Sequence, residues 1–583
     1  MWRFVRATQV TRLSKTVVKV PSFCFRKTAK PTVFSQRFQS KMEAESKQTN
    51  VSETKNTTIT IDNEEYTVIK EGKASVLFKG TEVFYNPVQE VNRDLSILFI
   101  KLYIEQLEKE REEKSKARSA KKVEEESSTS NSVEEVRILE ALSATGLRSI
   151  RYMKEIQGIT SIVANDIDAT AVEAIKRNIE FNNLSTSSVI PSHSDAISFM
   201  YANREPSKQY EIVDLDPYGG ANIFLDGAVQ SIKEGGLLCV TCTDMQVLCG
   251  GYPETCFVKY NSVPLHAKYC HEMALRILLA SISNHASVYK KYIVPVVSLS
   301  IDFYIRVFVR VYSSASDVKH LFTKLGNIYQ CVSCDTFHIV PLGKSTTTEK
   351  GGFKFTPGTL QLESSKCCNC GKTYKIGGPI WIDPIHDKTY VEKALKHLDS
   401  NSKLYNQSKK IYGLLSVANE ELSTSPLYYT LSSLCNTLHC VQPPFKIIKS
   451  GLLNAGYKVS STHACKDGIK TDAPSNVVWD VFRKWVSLNP VKNISENSPA
   501  HSILATPITT NVDLTVREDA ITDKSIPRFL PNPRENWGPG SKAKKRSIEP
   551  EKAKNNQGKN KKKKDLKKIE EKKEDAMEIQ KNN

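Results

Sequence analysis

The apolar run at residues 211–215 ends in an acid, a proline and a tyrosine before two glycines, "EIVDLDPYGG". A strand closing this way leaves the Asp216 carboxylate at its carboxyl end, beside carbonyls that Pro217 cannot pair and the ring of Tyr218. An exocyclic amine conjugated to a purine is a poor nucleophile. A carboxylate and a carbonyl that accept its two hydrogens direct its lone-pair density outward, toward an electrophilic methyl group. Tyr218 offers a flat face for a base taken out of its stack. Asp216, Pro217 and Tyr218 are therefore the candidate catalytic residues, with a purely structural Asp-Pro turn as the alternative.

In a doubly wound sheet, ligands sit at the carboxyl ends of the central strands, so the residues after each strand carry the next information. "EALSATGLRS" places Gly146 where the backbone can approach a ligand closely, at the start of a helix; a tight turn with no ligand would look the same. Asp166 ends "SIVAND" at the distance where a carboxylate accepts hydrogen bonds from ribose hydroxyls, and Asp168 is read as the cap of the next helix. "SHSDAISF" offers Asp195 and Ala196 for an adenine amine and ring, or simply a helix cap. Arg93, in "FYNPVQEVNRDLSILF", and Arg148 are candidates for a cofactor carboxylate, Arg93 also for an RNA phosphate, or both for ordinary ion pairs. The candidate cofactor contacts are therefore Arg93, Arg148, Asp166, Asp195 and Ala196.

The elements that must position these groups are legible as alternating apolar runs and helical stretches between residues 136 and 312, a βαβ series with a parallel sheet. "YIVPVVSLSI" and "FYIRVFVRVYSS" follow a helical stretch and read as an antiparallel hairpin closing that sheet. The expected fold class is α/β: a class I (Rossmann-like) methyltransferase domain over residues 58–315, with a smaller zinc-containing α+β domain over 316–500. In the latter, Cys331 with Cys334 and Cys367 with Cys370 form two CxxC pairs, each spaced to grip one tetrahedral Zn²⁺ as a structural staple, with Cys368 spare. The charged segment 108–135 and the tail 538–583 read as linker or disorder.

The net charge of +18 resembles a nucleic-acid footprint, but residues 1–41 hold five Lys and five Arg with no acid before Glu43, and the Lys-rich tail holds much of the rest. An RNA-binding argument must therefore rest on local chemistry rather than net charge. Residues 1–41 are Arg-rich, hydroxyl-rich and acid-free, as a mitochondrial targeting segment is; a basic arm that touches RNA is the alternative. Initiation at Met42 would give a form without that signal, so mitochondrion and nucleus are both expected. No run approaches the roughly 18 apolar residues of a membrane span, so a soluble chain is expected. Fourteen cysteines without a secretory signal point to reduced thiols.

"YNPVQEVNRDLS", "SATGLRSIRY", "DLDPYGG", the two CxxC pairs and "GIKTDAP" together resemble the tRNA (guanine-26-N2) dimethyltransferase family in its eukaryotic, fungal-like form, over about residues 58–500. The resemblance implies transfer of one or two methyl groups from S-adenosylmethionine to N2 of guanine 26, cofactor contacts at the five residues named above, and catalysis by Asp216. It also implies that the carboxyl-terminal domain, with Lys-rich stretches around 446–470, grips tRNA. A monomer is expected. Two readings compete: methylation of another RNA amine, such as adenine N6, and a non-catalytic tRNA-binding or folding factor.

Overall fold

The computed structural model describes residues 57–61, 63–79, 85–121, 135–360, 364–523 and 525–531. The segments 1–41 and 538–583 lie outside them. At the amino-terminal end, β1 (Thr57–Ile61), β2 (Glu64–Glu71) and β3 (Ala74–Phe78) form an antiparallel meander. The long helix Glu90–Lys121 follows.

The strands that carry the motifs are β4 (Arg137–Glu140), β5 (Ser161–Asp166), β6 (Val189–His193), β7 (Tyr210–Leu215), β8 (Ile232–Cys242), β9 (Lys291–Ile301) and β10 (Tyr304–Ser313). They make one sheet in the order β6-β5-β4-β7-β8-β10-β9. β6, β5, β4, β7 and β8 are mutually parallel, whereas β10 runs antiparallel to both β8 and β9. This is the expected parallel sheet with its closing hairpin. Helices on both faces bury the strands, which accounts for apolar runs in place of alternation: all six residues of β7 are buried. The buried arginines of β10 are neutralised from below, Arg306 by Asp214 and Arg310 by Glu110.

The Glu110–Arg310 pair bears on the charged segment 108–135. Helix Glu90–Lys121 runs through its first half instead of ending at a linker, because Glu110 and Arg111 are anchored to the sheet by Arg310 and Glu211. Residues 122–134 lie outside the described residues.

Beyond β10 the chain forms β11 (Leu325–Cys331), β12 (Phe337–Pro341), the pair β13 (Gly343–Thr347) and β14 (Phe353–Pro357), and β15 (Tyr374–Trp381), then helices with β16 (Tyr429–Thr430), β17 (Val459–Thr462) and β18 (Cys465–Thr471). This α+β part shares an apolar core with the parallel sheet: Leu325, Ile328, Ile380 and Trp381 pack in one cluster with Leu238, Val240 and Leu275. No described helix is long and apolar enough to cross a membrane.

Candidate active site

Along the carboxyl edge of the parallel strands lies a cavity of 520 Å³, within the size range of small-molecule sites. Its walls come from most, though not all, of the places where ligand groups were expected. Ala144, Thr145 and Arg148 come from the turn after β4, Asp166 from the end of β5, and Asp216, Pro217 and Tyr218 from the end of β7. Asn86, Gln89 and Arg93 enter from the start of the long helix. Asp195 and Ala196 are not among its walls. Asp195 accepts the Ser198 N–H at 2.8 Å as the cap of helix Ala196–Ala202, and Ala196 is buried in the core.

Backbone geometry shapes the turn after β4. Gly146 has φ of +73°, and a Cβ there would also press on the Ile175 side chain at 3.3 Å. The Ala144 N–H donates to Asp166 Oδ2 at 2.8 Å and the Asp168 N–H to Oδ1 at 3.0 Å. Each Asp166 oxygen keeps a lone pair for a ligand hydroxyl. Asp168 caps the following helix through the Thr170 N–H. The loop after Asp216 is pinned to the end of β8, with the Gly219 N–H donating to Thr243 Oγ1 at 2.9 Å and the Thr243 N–H to the Gly219 carbonyl at 2.8 Å. Tyr218 is consequently held out from the sheet, 74% exposed.

Under this rim lies a buried ionic layer. Arg148 donates to Asp216, to Ser96 Oγ at 3.0 Å and to Tyr152 at 3.4 Å, with Glu140 and Asp214 each 3.6 Å away. Arg306 donates twice to Asp214, at 2.8 and 2.9 Å, and Tyr152 adds a third bond at 2.6 Å. Burial would raise the Asp214 carboxyl, but the Arg306 and Arg148 guanidiniums bring it below its ordinary value. Glu140 has weaker compensation, and burial pushes it up to about 7 against the pull of Arg148. Arg93 is held by Glu71 through two bonds of 2.6 Å. Burial works against the Glu71 carboxylate, yet Arg93 and Arg151 hold it at about 2. Both candidate arginines thus reach the cavity with protein carboxylates already bound.

Sequence reasoning missed Glu71, Glu140, Asp214 and the β9–β10 turn residues Asp302, Phe303 and Tyr304, the last three of which also line the cavity. Glu140 and Asp214 carried a usable signal, as acids inside apolar strands. Glu71 and Tyr304 carried none, because strand pairing brings them from distant sequence.

In the carboxyl-terminal part, the four expected cysteine sulfurs converge within 4.8 Å of one another and are buried. Cys331 and Cys370 Sγ are 3.4 Å apart, Cys334 and Cys367 Sγ 3.6 Å. Sulfurs about 2.3 Å from one tetrahedral Zn²⁺ would be about 3.8 Å apart, so the cluster fits such an ion. Thr336, beside Cys334, accepts from Asn369 and Trp479 at 3.1 Å, tying the cluster to helix Ser475–Leu488. Cys368 is exposed.

A second convergence, His386, Glu421 and His463, is built differently. The Ser300 N–H donates to His463 Nε2 at 3.1 Å and the Ser298 N–H to His386 Nδ1 at 3.4 Å, which leaves a hydrogen on each ring nitrogen facing Glu421. These rings, with Lys470 bridging Glu421 and Glu272, fasten β9 to the carboxyl-terminal part. A larger cleft of 790 Å³ lies beside β12. It contains none of the strand-end carboxylates.

Residues 63–483 match the family model described as N2,N2-dimethylguanosine tRNA methyltransferase. The chain is 41% identical over 530 residues to tRNA (guanine(26)-N(2))-dimethyltransferase 2 of Arabidopsis thaliana, covering 83% of this chain and 89% of that protein. It is 40% identical over 513 residues to the Homo sapiens tRNA (guanine(26)-N(2))-dimethyltransferase, covering 82% and 78%, and 36% identical over 529 residues to the mitochondrial enzyme of Saccharomyces cerevisiae, covering 82% and 92%. Among solved structures, Trm1 from Pyrococcus horikoshii in complex with S-adenosyl-L-methionine aligns with a TM-score of 0.56 and 29% identity, over 71% of this chain and 99% of that one.

Proposed function

The chain belongs to the N2,N2-dimethylguanosine tRNA methyltransferase family, and on that premise we propose how its residues carry out the reaction. It is a tRNA (guanine(26)-N(2))-dimethyltransferase that uses S-adenosylmethionine. The observation that carries the assignment of roles is the convergence of Asp216, Pro217 and Tyr218 with Asp166 and Arg148 on one 520 Å³ cavity.

In this reading Asp166, oriented by two backbone N–H groups, accepts the ribose hydroxyls of the cofactor, and Arg93 and Arg148 face its carboxylate. Asp195 and Ala196 act from the rim next to β5, at the adenine end. S-adenosylmethionine supplies an electrophilic methyl group on a sulfonium. Tyr218 stacks on the extruded guanine. The Asp216 carboxylate accepts an N2 hydrogen and receives that proton as the N–C bond forms, while Arg148 fixes its orientation from behind. After one transfer Asp216 releases its proton to solvent, and the amine retains one hydrogen that the regenerated carboxylate accepts for the second. Partial desolvation beside the cavity, followed by the charges of Asp166 and Asp216, raises the Tyr218 phenol, so this largely exposed side chain stacks as a neutral ring.

Zn²⁺ at Cys331, Cys334, Cys367 and Cys370 is structural in this account, since all four ligands are thiolates and no position stays open for substrate. The carboxyl-terminal part grips the tRNA, and the protein works as a monomer. Residues 1–41 direct a mitochondrial form, in keeping with the mitochondrial yeast relative, and initiation at Met42 gives a nuclear one. Incubation with unmodified tRNA and methyl-labelled S-adenosylmethionine tests the chemistry. Label in N2-methylguanosine and N2,N2-dimethylguanosine is expected, and label in an adenosine product would refute the base assignment.

A further inference from the structure

The turn between β9 and β10 enters the cavity on the far side of β7 from Asp166 and the Gly146 turn. In the order β6-β5-β4-β7-β8-β10-β9, Asp166 and the Gly146 turn lie to one side of β7, and the β9–β10 turn lies to the other. Because β10 runs antiparallel to β8, its first residue, Tyr304, stands at the same edge as the carboxyl ends of the parallel strands. Methyl donor and acceptor must meet beside Asp216. With the cofactor over β4 and β5, the base occupies the half of the cavity toward β8 and β10.

Tyr304 lines that half. It is only 4% exposed, and its hydroxyl has no hydrogen-bond partner among the described residues. The neighbouring polar residue on this face of β10 is better satisfied: Arg306, two positions on, binds Asp214, Thr241 and Ser96. A buried hydroxyl with an unmade bond is a standing cost that a ligand acceptor removes. The turn itself is held in place. Asp302 has φ of +47°, in the left-handed region, and accepts from Lys410 Nζ at 2.8 Å. Next to it, Phe303 is 37% exposed on the same cavity.

We propose that the Tyr304 hydroxyl is a binding group for the target base, donating to the O6 acceptor of guanine while Asp216 accepts from the amine. This rests on the reading of the cavity as the transferase site. A carboxylate at the amine and a neutral donor at the carbonyl match the donor and acceptor that guanine presents, so Tyr304 is a specificity-determining residue.

Tyr304→Phe removes one oxygen and keeps the ring. The expected result is a fall in kcat/KM for tRNA of roughly 10- to 100-fold, the loss of one hydrogen bond to a buried ligand group, with the Kd for S-adenosylmethionine within twofold of wild type. The same substitution should also narrow the preference for guanine over 2-aminopurine at the target position, because 2-aminopurine keeps the amine but lacks O6. A variant with unchanged tRNA kinetics, or one whose Kd for S-adenosylmethionine weakens while tRNA parameters stay constant, overturns the assignment. Asp216→Asn measured in parallel separates the two readings: if it stays active the transferase assignment of the cavity fails, and if it is inactive while Tyr304→Phe is normal only the role of Tyr304 fails.

Discussion

Replacing Asp216 by Asn separates catalysis from stability. The side chain is 19% exposed, and its main partner, Arg148, keeps Glu140 and Asp214 as counter-charges 3.6 Å away. Deleting one carboxylate from a group of three around one guanidinium leaves no unpaired buried charge, so folding stability should change by less than about 1 kcal/mol. Catalysis should respond differently. An amide oxygen can still accept one hydrogen, but it cannot take the proton that leaves N2 as the methyl arrives, a role typically contributing roughly 10²–10⁴-fold, or about 3–5 kcal/mol of barrier. Single-turnover methyl transfer with enzyme in excess over tRNA isolates the chemical step, and calorimetry with S-adenosylmethionine isolates binding. The expected pattern is a transfer rate reduced by about 100-fold or more, with Tm and cofactor Kd near wild type. A rate within about threefold of wild type would refute the proton-accepting role, and a collapse in Tm would show that the Asp216–Arg148 pair is structural.

Other expectations follow from the same network. Burial pushes Glu140 from its ordinary 4.5 to about 7 in the folded chain. A raised carboxyl contributes stability below the unfolded value and loses it as pH rises through the folded one, so this contribution is lost between pH 4.5 and about 7, and the urea midpoint of wild type relative to Glu140→Gln should fall across that window. Cys331→Ser with Cys334→Ser should abolish metal binding and unfold the carboxyl-terminal part, because structural zinc supplies folding free energy; elemental analysis giving no zinc in wild-type protein would contradict this. Lys410→Met removes the partially buried partner of Asp302 and should cost about 1–3 kcal/mol, read as a lower Tm, with several-fold weaker tRNA turnover and unchanged cofactor affinity.

How far the sequence foretold the molecule depended on where its information lay. The strand series was readable because parallel strands buried on both faces are continuous apolar runs, and the hairpin β9–β10 because a second pair of such runs followed a helix. Boundaries were harder. Helix Leu225–Ser231 gives way at Ile232 to β8 within "SIKEG", which reads as helix, because the start of β8 pairs with Tyr210 across a bulge. The charged stretch after residue 108 looked unstructured by composition, yet Glu110 finds Arg310, 200 residues away. In the site, Asp166 at the end of β5 and Asp216 after β7 were legible as strand-end carboxylates and do share one cavity, whereas Glu140 at the end of β4 and Thr243 after β8, which line it too, were not singled out. Asp195 reads equally well as ligand or cap, and its visible bond is a cap. The partners that make the site rigid, Glu71 for Arg93 and Ser96 for Arg148 and Arg306, arrive through long-range packing that no local pattern encodes.

The most direct test of the account is the fate of guanine 26. Purified protein is incubated with methyl-labelled S-adenosylmethionine and two tRNA transcripts, one unaltered and one carrying adenine in place of guanine 26, and the nucleosides are resolved by mass spectrometry. Labelled N2-methylguanosine and N2,N2-dimethylguanosine from the first transcript and no label from the second is the expected result. Equal labelling of both transcripts would contradict it.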